Sequence, residues 1–277
     1  MPVRAVNGTE LYYEVKGSGP PLLLIMGATG EGGVFEQFAA LLAAEFTVVT
    51  YDRRGNGRSA PPADWDATSP EEQADDAAGL LDGLDLAPAA VFGTSSGGVF
   101  ALATLLRHPQ AVRAAVLHDP AFFALVDDPA AARTKVTEVI TPATEAGGPT
   151  AAFEAFLRFA AGDATWERLD ASVRERMLAS AGTYFSKEIG AFDVYLPDDQ
   201  ALADIAAPVH LLAGEDSHPE FGQAAARLAA RHDIEVTSVP GAHFGYVGHP
   251  QEMAKTVSAL LRNNPLTTLT SPARGHA

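Results

Sequence analysis

The 277-residue chain predicts an α/β fold built on a mostly parallel sheet. Three observations carry that expectation. Short apolar runs alternate with longer alanine- and leucine-rich stretches, as strands do when they return through helices. Two of the runs, Leu22 to Met26 and Thr47 to Tyr51, are continuously apolar or β-branched, which is how strands covered on both faces read. Finally, Gly93-Thr94-Ser95-Ser96-Gly97 stands at the junction of an apolar run and a helical one. A sharp strand-to-helix turn that exposes a serine hydroxyl belongs there.

The elements follow in order. Glu10 to Lys16 alternates and ends at the turn signal Gly17-Ser18-Gly19-Pro20, so it is an early strand near a sheet edge. Phe35 to Ala44 is a helix between the two buried strands. Ser69-Pro70-Glu71-Glu72 supplies a cap, a first-turn proline and first-turn acids for an acidic helix running to Leu86. Ala89 to Phe92 is the strand before Ser95, and Gly98 to Leu106 the helix after it. Val112 to His118, Val209 to Ala213 and Glu235 to Val239 complete the strands.

Between Pro120 and Pro208 the alternation stops. The segment reads as helical and carries Phe153, Phe156, Phe159, Trp166, Tyr184, Phe185, Phe192 and Tyr195 among polar residues. A helical insertion after a sheet strand is the natural form of a lid. Most of its aromatics are expected to form the lid core, with the rest lining a pocket. The chain thus divides into core (1–120), helical cap (121–207), core (208–263) and a Thr-, Pro- and Ser-rich tail (264–277) expected to be flexible.

Composition narrows the function classes. With 47% hydrophobic and 19% charged residues the chain is globular rather than disordered. No apolar run is long enough to span a membrane, and the N-terminus lacks an apolar signal core, so a cytoplasmic protein is expected. Zero cysteines exclude disulfides, thiol nucleophiles and cysteine-ligated metals. A net charge of −16 repels nucleic acid and anionic membrane. No His-Glu-x-x-His or comparable metal spacing occurs, and no cofactor is implied.

A serine hydroxyl is a poor nucleophile at neutral pH, so it needs an imidazole to take its proton and a carboxylate to orient that imidazole. Of the eight histidines, His243 stands out. Gly241-Ala242-His243-Phe244-Gly245 follows the last strand and precedes the last helix, at the carboxyl end of the sheet, where active sites of open α/β sheets lie. His249-Pro250 reads as a helix start, His108-Pro109 as a helix end and His232 as a surface residue. His118 and His210 read as satisfied strand residues.

Met26-Gly27-Ala28 after one buried strand, Asp52-Arg53-Arg54-Gly55-Asn56-Gly57-Arg58-Ser59 after the next, the Ser95 elbow and His243 together resemble the α/β-hydrolases. The resemblance implies a mostly parallel eight-stranded sheet with helices on both faces and a helical cap after the strand that follows the nucleophile helix. It also implies Ser95 as nucleophile, His243 as base, and an oxyanion hole from the Ala28 and Ser96 amides, with Gly27 beside them. The Asp52 to Ser59 loop is read as structural. For the acid the family offers two places, Asp119 and Asp216, both at the carboxyl ends of neighbouring strands. Their plain readings are turn initiation before Pro120 and capping of the helix near Pro219.

Ser95-Ser96, His118-Asp119-Pro120 and His243-Phe244-Gly245-Tyr246-Val247-Gly248-His249-Pro250 are similar to the zearalenone lactonases. Those enzymes open a macrocyclic resorcylic lactone and take their acid from the early place, usually as glutamate. The resemblance therefore favours Asp119, and implies hydrolysis of a small-molecule carboxylic ester or lactone through an acyl-enzyme. Tyr184, Phe185 and Phe192 are the cap residues expected to meet an apolar substrate. A ligand receptor that keeps the triad and a cofactor-free perhydrolase are the other readings of such a chain.

Overall fold

The computed structural model describes residues 2–191 and 195–262. Phe192 and the tail from 264 to 277 lie outside the described residues, and the expectations placed on them with it. Eight strands form one sheet: β1 (Val3–Val6), β2 (Thr9–Lys16), β3 (Pro21–Ile25), β4 (Thr47–Tyr51), β5 (Ala89–Thr94), β6 (Val112–His118), β7 (Val209–Gly214) and β8 (Val236–Val239). Their order is β1-β2-β4-β3-β5-β6-β7-β8. β1 and β2 run antiparallel to their neighbours, and every pair from β4 to β8 is parallel. β1 takes the edge, so the alternating run that follows lies second from it.

The helices are α1 (Glu36–Leu42), α2 (Pro70–Gly83), α3 (Ser96–Arg107), α4 (Pro129–Ala161), α5 (Asp163–Arg168), α6 (Ala171–Ala179), α7 (Ala181–Thr183), α8 (Asp199–Ala203), α9 (Pro219–His232), α10 (Gly245–Gly248) and α11 (Pro250–Arg262). The chain crosses from β3 to β4 through α1, and from β4 back past β3 to β5 through α2. Parallel crossovers are right-handed, so two that run in opposite directions put α1 and α2 on opposite faces. Strands β3 and β5, covered from both sides, are buried along nearly their whole length. This explains why their sequences do not alternate. The reversal of direction at β3 also opens a crevice beyond the carboxyl ends of β3 and β5, the usual place for a ligand in such sheets.

Local chemistry sets the helix ends. Ser69 Oγ accepts the Glu72 N–H at 3.1 Å, the cap read from the sequence. Helix α2 then stops at Gly83, three residues short of the expected Leu86. The helix expected over 35–44 is a 3₁₀ turn (Gly32–Phe35) running into α1.

Only helices and turns occupy the described residues between β6 and β7. Helix α4 is broken at Gly147 and Gly148, where φ is −152° and +70°, and Pro149 restarts it. A glycine with φ near +70° cannot continue a right-handed helix, while proline suits a first helical position. After α7 a π turn, Tyr184–Glu188, is stapled to the core. Thr183 Oγ1 donates to Gly55 O at 2.7 Å, Lys187 Nζ to Trp65 O at 2.7 Å, and Ser180 Oγ to Thr29 O. No helix among the described residues is long and apolar enough to cross a membrane.

Candidate active site

Ser95 joins β5 to α3 with φ 57° and ψ −130°. A non-glycine residue held at positive φ costs on the order of 1 to 3 kcal/mol and persists only where its surroundings fix it. Here the Ser95 N–H donates to His118 O at 3.0 Å, and Ser95 O accepts from Gly98 N at 2.9 Å and Ala121 N at 3.1 Å. The glycine frame is steric. A Cβ on Gly93 would collide with the Gly97 carbonyl, and one on Gly97 with the Ile25 carbonyl. A Cβ on Gly27 would stand 2.8 Å from Ser95 Cβ, so the loop after β3 lies directly against the serine.

His243, in the loop after β8, is 3% exposed and stacks on Phe221 with ring centroids 3.9 Å apart. Its Nδ1 lies 3.2 Å from Asp119 Oδ2, and since a carboxylate only accepts, Nδ1 is the donor. That tautomer leaves Nε2 free to accept a proton. His243 and Ser95 line one cavity of about 20 Å³. Ser95 Oγ makes no hydrogen bond among the described residues.

Asp119 sits in the left-handed region (φ 42°) at the end of β6, fully buried. Its Oδ1 accepts the Gly214 N–H at 3.1 Å and its Oδ2 the Ser217 hydroxyl at 2.5 Å. Burial pushes its pKa up, but His118 beside it and hydrogen bonds from His243 and Ser217 outweigh burial and hold it at about 2. His118 is the counterpart. Buried on every side, with Nδ1 2.9 Å from Thr94 Oγ1 and Nε2 3.6 Å from Asp119 Oδ2, it is pushed down to about 4 and is neutral at physiological pH.

The structure thus brings Asp119, not Asp216, to His243. Asp216 is exposed and its N–H donates to Gly241 O at 3.0 Å. It does not cap α9 either: the N-cap is His218, with no side-chain bond, which corrects the capping expectation. The Asp216 loop still contributes, because Ser217 bonds the Asp119 carboxylate. His232, read as a surface residue, is half-buried instead.

Gly27 and Ala28 line the cavity beside Ser95. Ser96 is the first residue of α3, so its N–H is one of the donors a helix start leaves without an i−4 carbonyl. The opposite wall is α4, through Phe156, Leu157 and Ala160. Tyr184 and Phe185 stand one layer back. Tyr184 stacks on Phe156 at 5.3 Å, and Phe185 meets Phe153 and Tyr184 edge-on. In the sequence Phe156 is one of eight cap aromatics and Leu157 and Ala160 go unmarked, although with Phe153 the three keep the i, i+3, i+4, i+7 spacing of a single helix face. A larger groove of about 900 Å³, lined by α5, α6 and the loop after β8, shares Phe244 and Tyr246 with the small cavity.

A doubly wound sheet with an elbow serine, an imidazole and a carboxylate gathered at its carboxyl edge defines the α/β-hydrolase class. The chain belongs to that family: its model, described as the alpha/beta hydrolase fold, matches residues 20–250. An uncharacterized hydrolase, YraK, from Bacillus subtilis is 32% identical over 262 residues, covering 92% of this chain and 94% of that one. A zearalenone hydrolase from Bionectria ochroleuca is 26% identical, covering 91% and 93%. Among solved structures, a thermophilic esterase from Thermogutta terrifontis superposes with a TM-score of 0.76 at 22% identity, over 95% of this chain and 99% of that chain.

Proposed function

We propose that the protein is a serine hydrolase of carboxylic esters or lactones. One observation carries the reading: Ser95, on a strained turn, shares a cavity with an imidazole whose far nitrogen is tied to a buried, ionised carboxylate. His243 Nε2 takes the Ser95 proton as Oγ bonds to the carbonyl carbon. Negative charge moves to the carbonyl oxygen, where the Ala28 and Ser96 amides receive it. Each such donor is worth about 3 to 4 kcal/mol at the transition state. The C–O bond to the alcohol breaks and the alkoxide leaves with the proton from His243. Water, deprotonated by the same ring, attacks the acyl carbon, and the acid departs as Ser95 regains its proton. Asp119 stabilises the imidazolium formed in each half.

Residues 121–207 act as the cap, and α4 presents an apolar wall of Phe156, Leu157 and Ala160 to the reacting carbonyl. Such a wall suits an apolar or aromatic ester. The full-length likeness to a zearalenone hydrolase supports a resorcylic macrolactone as substrate. The test is hydrolysis of p-nitrophenyl butyrate and of zearalenone by the purified protein and by Ser95→Ala. Turnover of either, lost at least ~10³-fold in the variant, is expected. Cleavage of the simple ester with zearalenone untouched overturns the lactone assignment. Absence of turnover on both overturns the hydrolase reading.

A further inference from the structure

Arg53 and Glu188 form a fully buried, two-pronged ion pair between the loop after β4 and the π turn, 135 residues apart in sequence. Nη1 meets Oε1 at 2.9 Å and Nη2 meets Oε2 at 2.7 Å. Asn56 Nδ2 adds a third bond to Oε1 at 2.9 Å. The rest of the guanidinium is spent on the loop after β3: Nε donates to Met26 O at 2.9 Å and Nη2 to Gly27 O at 2.9 Å. The second acceptor matters most. Gly27 C=O and Ala28 N–H belong to one peptide unit, and in a trans peptide they point in opposite directions. Fixing the oxygen therefore aims the N–H. The same oxygen also accepts the Gly30 N–H at 2.9 Å within the loop, and the Arg53 bond is the one that ties this peptide to the helical segment through Glu188.

From this geometry we infer that Arg53, held by Glu188, is the positioning residue for the Ala28 oxyanion donor, so that the helical segment sets the hole it covers. The inference rests on the proposed role of the Ala28 amide. Both side chains are fully buried and neither lines the cavity beside Ser95. A bond accepted by the carbonyl also polarises its own amide and strengthens the N–H as a donor. Lysine cannot replace Arg53, because one ammonium does not reproduce a planar fork serving two carbonyls and a carboxylate.

Ester turnover by wild type, Arg53→Met/Glu188→Met and Arg53→Lys tests this. Replacing a buried ion pair by two apolar side chains of similar size usually preserves folding, so the double variant removes the positioning while leaving a packed core. Arg53→Lys keeps the charge opposite Glu188 and reads the same effect should the double variant not fold. The expected result is a native melting profile with kcat lowered ~10- to 100-fold and KM within about threefold, since an aimed donor acts on the transition state alone. Unchanged kcat in a folded variant, or a rise in KM with kcat kept, overturns the inference and leaves the pair structural. If the wild type cleaves no ester, the hydrolase reading falls first and this one with it.

Discussion

Asp119 keeps its charge out of contact with water because three donors converge on two oxygens: the Gly214 amide, the Ser217 hydroxyl and the His243 ring. Charge-assisted bonds of this kind are roughly twice as strong as neutral ones, enough to offset the burial of a carboxylate. The same bonds fix the His243 tautomer. Asp119→Asn keeps the volume but offers an amide that can turn its NH₂ toward Nδ1, which stabilises the wrong tautomer. We expect kcat/KM of Asp119→Asn to fall ~10³- to 10⁴-fold, as loss of the orienting acid does in other triads. Asp216→Asn, on an exposed side chain, should stay within about twofold. Steady-state kinetics on one ester decide it, and the reverse order would refute the assignment to Asp119. Position in the sequence admits both acids, because each ends a neighbouring strand, and only the lactonase resemblance favours Asp119. The choice turns on which carboxylate is buried against His243, a contact spanning 124 residues.

At the scale of elements, what was legible was local. The Ser69 cap, the Ser95 elbow and the doubly covered strands depend on residues a few positions apart, so each leaves its pattern in the sequence. What was hidden depends on how distant pieces meet. Arg53 and Arg54 are neighbours in a loop read as structural, and Arg54 fits that role, pairing with Asp76 and Glu72 of α2. Arg53 points the other way, beneath Gly27, and only the fold shows it. The face of α4 is hidden in the same way: the sequence divides the cap aromatics between core and pocket and points to Tyr184 and Phe185 for the substrate, whereas Phe156 shares the cavity with Ser95 and the other two pack behind it. A cavity of about 20 Å³ holds no more than a water, so on the proposed function an ester reaches Ser95 only if the half of α4 after its break at Gly147 and Gly148 yields. Trimming that wall should favour large substrates. Phe156→Ala is expected to raise kcat/KM for a naphthyl or other bulky ester ~10-fold relative to p-nitrophenyl acetate, with a stability loss below the ~3 to 5 kcal/mol of a fully buried phenylalanine because Phe156 is half-buried. An unaltered ratio between the two esters would remove α4 as the gate.

Across the whole molecule, acid acts on stability through opposing terms. The chain carries a net charge of −16 at neutral pH, and protonating its surface carboxylates relieves self-repulsion as the pH approaches the isoelectric point near 4.8. His118 works against this. Its value in the folded protein, about 4, lies below the ordinary 6.5, so the unfolded chain takes up the proton first. Its contribution is full above pH 6.5 and is lost as the pH falls toward 4. Asp119, held at about 2 against an ordinary 3.8, adds a second loss only below pH 4. Between pH 7.5 and 5.5 the histidine acts alone of the two, and the linkage amounts to roughly 1 to 1.5 kcal/mol. His118→Gln removes the titration and leaves surface repulsion unchanged, so the difference in pH dependence between wild type and variant isolates the buried imidazole. Urea unfolding at the two pH values measures it, with both proteins kept clear of the isoelectric point. The wild type should lose that amount relative to the variant, whatever each one's stability at pH 7.5. Equal changes in the two proteins would mean that His118 is protonated as readily in the fold as outside it, which its buried place between Thr94 and Asp119 argues against.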